Sequence, residues 1–396
     1  MFLATALIGP SACARSLYVD DVGTQIDYEA PQYVRDQIAA LGRTEDIKFS
    51  LNNKRLAVAG FVRNTIAVFE ISIVASGDSK NLRLTRAVEI SSSHLKSPHG
   101  IDFIDDERIL VANRDGEACI FNVPSDAVGR CELAPLSIVP SKDVITPGSV
   151  AVVRNSRGKC EALICNNYVH TVTKHLLDLD SRCSTKTQIL FRKWMNVPDG
   201  ICLSEDKQWI AVSNHETHTV LLYENKSSLN EVSDPDGILR GTYYPHGLRF
   251  TPDRRFILVA DGSAPCVNIY KGDDPDWRGV RNPLLSFRVL NNADYSRARG
   301  IPGEGGPKGI DIDKTMNIFV TTCETQPLAF FDLTAALQTA CSRSNLQGNR
   351  ARRATEVIYE LDLLEELQKK ISFFEKSRSW RFTAPLRQLF SLLRGD

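Results

Sequence analysis

Residues 244–270, YPHGLRFTPDRRFILVADGSAPCVNIY, form the unit from which most of the chain is built. The unit begins with Pro-X-Gly and continues as an alternating strand in which Leu248 and Phe250 are the apolar members. A Pro-Asp turn leads to an apolar strand over 256–260, and a polar break separates this from a third strand over 267–270. The pattern predicts short antiparallel strands joined by tight turns.

Five other stretches follow the same template. They begin at Thr44, Ser97, Thr146, Val197 and Gly306. The position between Pro and Gly is called the X slot below, and it holds in chain order Glu45, His99, Gly148, Asp199, His246 and Lys308. In the first unit, Thr44 and Asp46 stand in place of Pro and Gly. Successive X slots are 47 to 62 residues apart. A repeat of roughly 40–50 residues made of short strands is typical of a β-propeller blade. The sequence therefore predicts an all-β, six-bladed propeller, with a seventh, degenerate blade as the alternative because the last gap is long.

The second strand of each unit is a continuous apolar run, as at 109–112 and 318–320. Such a run is expected for a strand that is covered on both faces. Closure of the blades into a ring also explains how so many strands avoid exposed edges.

The charge balance argues against a nucleic-acid-binding protein. Lys+Arg and Asp+Glu both number 48, so the formal net charge of the 396 residues is zero. Ten cysteines lie far apart without any Cys-X-X-Cys, and several fall inside strands. Scattered cysteines in a large chain favour free thiols and a reducing compartment over a zinc or redox cluster.

The N-terminus, MFLATALIGPSACAR, resembles a truncated signal peptide. Its apolar run is short, no basic residue precedes it, and Pro10 stands where a lipobox has an aliphatic residue. No apolar run approaches the roughly 20 residues that span a bilayer. We expect a cytoplasmic protein, in one version peripheral to the inner membrane, with secretion as the alternative.

The repeats divide the chain into four parts. These are a lead-in at 1–43, the propeller at 44–333, a polar and basic linker at 334–355 and an amphipathic helical tail at 356–396. In the lead-in, residues 15–25 are predicted as a strand that closes the ring by pairing with the last blade, and 33–41 as a short helix. The insert at 273–305 is predicted as a loop over one end of the ring, where function concentrates.

The predicted tail has helical spacing over 356–374. Its apolar residues on one broad face are Val357, Leu361, Leu364, Leu367, Ile371 and Phe374. The last residues, SRSWRFTAPLRQLFSLLRGD, combine arginines with Trp380, Phe382 and several leucines. A basic amphipathic segment with an aromatic anchor is suited to a membrane surface or to a groove on a partner protein. Packing of the helix back on the propeller is the alternative.

The X slots predict a functional site. In a propeller the first strands line the central channel, so equivalent positions of different blades form a ring at one mouth. Two imidazoles and two carboxylates on that ring suit a divalent metal, with the predicted ligands Glu45, His99, Asp199 and His246. The second strands return to the same mouth and end in residues suited to substrate contacts, namely Asn113, Asn166, Asn214 with His215, and Asp261.

A plainer interpretation stands beside this one. Pro and Gly shape the start of a strand, and the X residue can simply be polar and solvated. No nucleophile elbow, phosphate loop, His-Glu-X-X-His or dinucleotide fingerprint is present. The remaining histidines have no predicted role and are interpreted as flanking strands: His94, His170, His175 and His218.

The repeats resemble those of known propellers. GICLSEDKQWIAVSNHETHTVLLYE and PHGLRFTPDRRFILVADGSAPCVNIY are similar to blades of the bacterial lactonase-type group, which includes 6-phosphogluconolactonase-like and YVTN-repeat proteins. The Pro-X-Gly starts also resemble the six-bladed NHL and SMP-30/gluconolactonase group. There, Glu, Asn and Asp at the mouth bind a divalent metal and one Asp is the base in lactone hydrolysis. The resemblance implies these roles for Glu45 and Asp199, whereas His246 replaces the Asn of that pattern.

Two further resemblances concern the histidines and the tail. The Pro-His-Gly slots resemble the zinc histidines of the peptidylglycine amidating lyase propeller. SRSWRFTAPLRQLF is similar to a segment at the ends of many bacterial glycosyltransferases and other surface-polysaccharide proteins. That implies a bacterial source and a cell-envelope polysaccharide context, without transferase activity because no nucleotide-sugar fold is present.

Two functions follow as expectations. The first is a propeller that binds carbohydrate or protein and is docked by its tail to polysaccharide machinery. The alternative is a metal-dependent sugar-lactone hydrolase or a lyase that uses one Ca, Zn or Mn ion. In that enzyme, Asp199 or His246 is the base and Lys308 stabilises developing negative charge.

Overall fold

The chain folds into a six-bladed β-propeller. The computed structural model describes residues 23–77, 79–139, 141–154, 160–177, 186–273, 276–298 and 304–347. The first strands of neighbouring blades contact one another around the whole ring, so they line the central channel. Each repeat in the sequence forms one blade, and the described residues contain no seventh.

Each blade is a twisted sheet whose strands run in order from the channel to the outer edge. Blade 1 has Thr44–Phe49, Arg55–Gly60, Thr65–Ser76 and Ser79–Ser91. Blade 2 has Pro98–Phe103, Arg108–Asn113, Ala118–Asn122 and Ser137–Ile138. Blade 3 has Pro147–Arg154, Cys160–Asn166, Thr171–Leu177 and Lys186–Phe191.

The second half of the ring repeats this arrangement. Blade 4 has Pro198–Leu203, Trp209–Asn214, Thr219–Glu224 and Gly237–Leu239. Blade 5 has Pro245–Phe250, Phe256–Asp261, Cys266–Lys271 and Leu285–Arg288. Blade 6 has Gly309–Ile312, Ile318–Thr322 and Ala329–Asp332.

A strand that precedes the first repeat closes the ring. Gln25–Ile26 pairs antiparallel with Ala329–Asp332 and becomes the outermost strand of blade 6. The sequence predicted a closing strand at 15–25, of which only the last residue is in the observed strand, and 15–22 lie outside the described residues. Helix α1, Gln32–Ala39, follows at the position of the predicted helix.

Additional elements extend the blades. Tyr28–Glu29 and Gly129–Glu132 both pair parallel with the outer strand of blade 1, and Gly279–Arg281 pairs parallel with the outer strand of blade 4. Helix α2 is Asn292–Ala298, and two single turns of 3-10 helix are Ser141–Asp143 and Asn167–Val169. The insert predicted as a loop at 273–305 therefore contributes strands to blades 4 and 5 and a helix, because its backbone pairs with the outer strands of those blades.

The apolar second strands are buried between neighbouring blades. In blade 2, Ile109 and Val111 pack in a cluster with residues of blade 1, whereas Leu110 and Ala112 pack with residues of blade 3. Both faces of the strand are therefore covered, as the continuous apolar run predicted.

The linker predicted at 334–355 is helical in its described part. Helix α3, Leu333–Gln347, begins directly after the last strand of blade 6. Leu333, Ala336 and Ala340 lie on one face and are fully buried against blades 5 and 6. This apolar face could not be recognised in the sequence, because the segment is polar overall and alanine contributes little hydropathy. Residues 356–396, including the predicted amphipathic tail, lie outside the described residues.

Two findings bear on the remaining sequence predictions. The eight cysteines in the described part of the chain are all free thiols. Among the described helices, none combines the length and the apolar composition that a membrane span requires.

Candidate functional site at the channel mouth

Five X-slot side chains meet at one mouth of the channel. Each of these residues is at most 4% exposed. The five are Glu45, His99, Asp199, His246 and Lys308. Blade 3 contributes Gly148, where a Cβ atom would overlap the side-chain amide of Asn167. Blade 3 thus leaves room at its slot for an amide from the turn that follows its own second strand.

A bulge at the slot turns the X side chain toward the channel. In blade 2, Pro98 pairs with Asn113 and Gly100 with Ala112, so His99 has no partner opposite it. The same shift occurs at the slots of blades 1, 3, 4 and 5. An extra residue in one strand bends it and re-aims a side chain, which is why bulges are frequent at functional sites.

Asp199 is the centre of one half of the site. Its Oδ2 atom lies 2.8 Å from Nδ1 of His246 and 3.1 Å from Nε2 of His215. Its Oδ1 atom lies 3.2 Å from Nη2 of Arg114 and accepts a hydrogen bond from Nδ2 of Asn167. Burial alone would raise the pKa of Asp199, but attraction to the histidines and the hydrogen bonds lower it well below its ordinary value.

Glu45 is the centre of the other half. It accepts a hydrogen bond of 2.5 Å from Nε of Arg43 and one of 3.2 Å from Nζ of Lys308. Burial would raise the pKa of Glu45, but Lys308 and Arg43 hold it well below its usual range. Glu304, from the insert, accepts a second hydrogen bond from Lys308 at 2.6 Å. Burial opposes ionisation of Glu304 too, but Lys308 and His246 lower its pKa to about 2.

His99 lies between the two halves. Its Nδ1 donates to the backbone oxygen of Gly148 at 2.6 Å, and its Nε2 accepts from Nη2 of Arg114 at 2.5 Å. Since a guanidinium can only donate, the proton of the neutral ring is on Nδ1. Burial, reinforced by the Arg114 charge, lowers the pKa of His99 to about 4. The lone pair on Nε2 is therefore occupied, and His99 is poorly placed as the metal ligand that the sequence predicted.

The residues that sequence reasoning missed follow the ends of the second strands. Arg114 and Asn167 come directly after Asn113 and Asn166, and His215, named only as a neighbour of Asn214, does the same. Because each second strand pairs antiparallel with the first, the backbone N–H just beyond its end donates to the residue two positions before the X slot, and its side chain therefore starts at the same mouth. The strand register was the signal that could have identified all three.

The four predicted substrate-contact residues have a different role. Each accepts a hydrogen bond from the backbone N–H three residues before the X slot of its blade; the pairs are Asn113 with Lys96, Asn166 with Ile145, Asn214 with Asn196, and Asp261 with Tyr243. Their remaining polar atoms also bond within the blade. These side chains fix the turn that leads into the slot, and each of their polar atoms already has a partner within the protein. Their contact with a substrate stays a prediction.

Aromatic rings form the wall beside the histidines. Tyr244 stacks on His215 with ring centroids 4.2 Å apart, and the centroids of His215 and His246 are 4.3 Å apart. Tyr244 has a φ of 130°, a strained backbone value for a residue with a side chain. Gly262 lies on the other side, where a Cβ atom would be 2.5 Å from Cδ2 of His246. Only a glycine at position 262 therefore leaves enough space for the imidazole of His246.

Asp199, His215 and His246 together fit a divalent metal ion. Their candidate ligand atoms all lie within 4.8 Å of one another. Nε2 of His215 is buried without an aligned hydrogen bond although Oδ2 of Asp199 is 3.1 Å away. A metal–ligand distance of about 2.1 Å separates neighbouring octahedral ligands by about 3.0 Å, close to the observed spacing. Two imidazoles and one carboxylate suit Zn or Mn better than Ca, which prefers oxygen ligands.

Comparison with known proteins gives likeness only at the level of solved structures. No protein-family model matches the sequence, and no curated protein matches it. A candidate 6-phosphogluconolactonase from Bacteroides fragilis is 13% identical, with a TM-score of 0.43 over 73% of this chain and 79% of that one. A second, from Bacteroides uniformis, is 12% identical, with a TM-score of 0.44 over 72% and 85%. A protein of unknown function from Desulfotomaculum acetoxidans is 13% identical, with a TM-score of 0.46 over 74% and 83%.

Proposed function

We propose that the protein is a hydrolase or lyase whose site at the channel mouth holds a divalent metal ion on Asp199, His215 and His246. The observation that supports this is the buried, ionised carboxylate of Asp199 with two imidazoles directly against it. A bound ion would supply Lewis-acid polarisation of a substrate oxygen and activation of water. The proposed substrate is a sugar lactone or a related carbohydrate, on the strength of the resemblance of the Pro-X-Gly repeats.

The contacts observed at the mouth change which residues are suited to the predicted roles of base and of charge stabiliser. As ligands, Asp199 and His246 would hold the ion, so neither would be free to serve as the base. Lys308 is neutralised by Glu45 and Glu304. Arg114 is the cation beside the Asp199 group, and its buried Nε atom has no hydrogen-bond partner among the described residues. Arg114 is therefore the better group to stabilise negative charge that develops on a substrate.

A binding protein is the second proposal, and a separate observation favours it. The X-slot side chains are mutually paired and almost completely buried, so they fill the mouth. A groove of about 760 Å³ lies elsewhere, along blade 1, where Asn52, Arg55, Glu70, Ile73 and Asp106 line it. In this proposal the groove takes carbohydrate or protein. The link to polysaccharide machinery rests on the tail at 356–396, and it stays a prediction, as does the cytoplasmic location.

Metal content distinguishes the two proposals. We would load the purified protein with Zn or Mn, remove excess ion by gel filtration and measure bound metal by elemental analysis. Wild type and His99→Ala are expected to retain about one equivalent at the mouth, and His246→Ala to lose it. His218→Ala is the matched control, because the His218 ring lies 6.4 Å from the ring of Tyr244, the tyrosine that stacks on His215, but is not in the ligand group.

Activity would then be measured as acid released from a panel of sugar lactones, with and without the ion. Metal-dependent turnover that is absent in His246→Ala supports the enzyme. If His246→Ala keeps all of its metal, or if the wild type retains none at the mouth, the metal-dependent enzyme is overturned. The binding protein then remains, and its readout is saturable carbohydrate or peptide binding.

A further inference from the structure

A second group of metal-ligand side chains lies outside the mouth, between blades 1 and 2. One ligand atom from each of His94, Glu117 and Cys119 lies within 4.8 Å of the other two. Glu117 directly precedes the strand Ala118–Asn122, and Cys119 lies two positions on, so the two side chains leave the same face. His94 comes from the turn that joins blade 1 to blade 2. Three separate backbone positions therefore deliver a thiol, a carboxylate and an imidazole to one point.

Hydrogen bonding between these side chains does not account for the arrangement. Nδ1 of His94 lies 4.0 Å from Oε2 of Glu117, which is longer than a hydrogen bond. The thiol of Cys119 makes only a weak contact of 3.9 Å with the backbone oxygen of Glu117. Bonds of about 2.0–2.3 Å to a tetrahedral zinc ion place ligand atoms about 3.3–3.7 Å apart. Small side-chain rotations would bring the three atoms to that spacing.

The surroundings suit an ion that enters from solvent. Cys119 is fully buried, whereas the side chains of His94 and Glu117 are 42% and 43% exposed. The open side leaves a fourth position for water, as in zinc sites with three protein ligands. A thiolate and an imidazole select zinc over magnesium or calcium.

The position of the group gives it a consequence for the mouth. The turn that contains His94 runs into the X slot of His99, and the turn that contains Glu117 begins with Arg114. The two turns are already joined, because the backbone N–H of Arg114 donates to the oxygen of Ser97 at 2.9 Å. An ion held by His94 and Glu117 would fasten the same two turns from their outer side.

We propose that His94, Glu117 and Cys119 form a zinc site that fixes the two turns which carry His99 and Arg114. Zinc bonds to the thiolate sulfur, and the thiol proton passes to solvent, so the affinity rises with pH. This site is independent of the proposed function, because none of its ligands belongs to the mouth.

The test uses cobalt(II) as a probe, because a cobalt–thiolate bond has a charge-transfer absorption in the near ultraviolet that nitrogen and oxygen ligands do not produce. We expect this band in the full-length wild type and expect zinc to abolish it. Cys119→Ser should remove the band and His94→Gln should weaken zinc binding at least tenfold. Cys131→Ser is the matched control, a cysteine packed against the same core cluster but outside the ligand group.

Metal counting separates this site from the mouth. If both sites exist, the wild type binds two equivalents, and Cys119→Ser and His246→Ala each bind one. If the mouth binds none, the wild type binds one and Cys119→Ser none. Absence of the thiolate band in the wild type, or its persistence in Cys119→Ser with native circular dichroism, would overturn the proposal.

Discussion

The carboxylate of Asp199 in blade 4 lies 2.8 Å from the imidazole Nδ1 of His246 in blade 5. The other oxygen of Asp199 contacts Arg114 from blade 2 and Asn167 from blade 3. One buried carboxylate thus joins side chains from four of the six blades. The mouth is therefore a cooperative unit, in which the charge on Asp199 stabilises the ring as well as the proposed metal site.

Removal of that charge should destabilise the fold. Asp199→Ala leaves the guanidinium of Arg114, whose side chain is only 15% exposed, without its carboxylate, and we expect a loss of roughly 3 kcal/mol in the free energy of unfolding. The measurement is urea unfolding followed by circular dichroism. Glu29→Ala is the control, since Glu29 pairs with Arg83 at 2.8 Å on the surface, where an exposed pair contributes about 1 kcal/mol or less. Equal effects of the two variants would contradict the role assigned to Asp199.

Asp102 should make stability depend on pH. It joins blade 2 to blade 3 by accepting a hydrogen bond of 2.7 Å from the backbone N–H of Val152. Burial raises its pKa to about 6, although Arg154 and this hydrogen bond act in the opposite direction. Between about pH 4 and pH 6 the folded state holds a proton that the unfolded state has released, so stability is lost as the pH rises through this window.

Asp102→Asn keeps the acceptor and removes the titration. The stability of the variant relative to wild type should therefore increase from pH 4 to pH 7, by roughly 2–3 kcal/mol for a shift of about two pKa units. The comparison cancels the opposite contributions of His99 and His175, whose pKa values burial lowers to about 4 in both proteins. Asp126→Asn, on an exposed side chain, is the matched control and should not reproduce this increase. If the difference in stability between Asp102→Asn and wild type did not change with pH, the explanation would be wrong.

The fold could be predicted from the sequence because every level of the pattern agrees. The spacing of the X slots, the alternating first strands and the apolar second strands all describe the same blade, and six copies close a ring. The helical part of the predicted linker was missed, since the buried face of α3 uses alanines that carry little hydropathy signal. A face formed by Ala336 and Ala340 is evident only when blade 6 is present to cover it.

The site could be predicted only in part. The X slots do bring Glu45, His99, Asp199, His246 and Lys308 together, because they are equivalent positions in a ring. The pairing among these side chains could not be predicted, because it depends on long side chains that extend from one blade to another. Arg114 occupies the lone pair of His99, and Lys308 with Arg43 neutralises Glu45. His215 thereby becomes the third member of the ligand group.

Gly262 should be essential for the geometry of His246. A Cβ atom there would be 2.5 Å from Cδ2 and 2.9 Å from Nε2 of the imidazole, so Gly262→Ala must displace the ring. We expect zinc affinity at the mouth, measured by competition with a chelator in the Cys119→Ser background, to fall at least tenfold. Ser263→Ala is the control, because it adds no atom beside His246 and should leave the affinity unchanged. Unchanged affinity in Gly262→Ala would show that this ring is not a ligand.

Helix α3 should behave as part of the propeller. Ala336 is fully buried against blades 5 and 6, so Ala336→Glu would bury a carboxylate without a partner, and we expect a loss of about 3 kcal/mol in the free energy of unfolding. Ala335→Glu, one position earlier on the exposed face, places an acidic group in the first turn of the helix and should change stability by about 0.5 kcal/mol or less. The measurement is the stability of the two variants relative to wild type in thermal and urea unfolding. If both are as stable as wild type, α3 does not pack on the blades, and 334–347 acts as the linker that the sequence predicted.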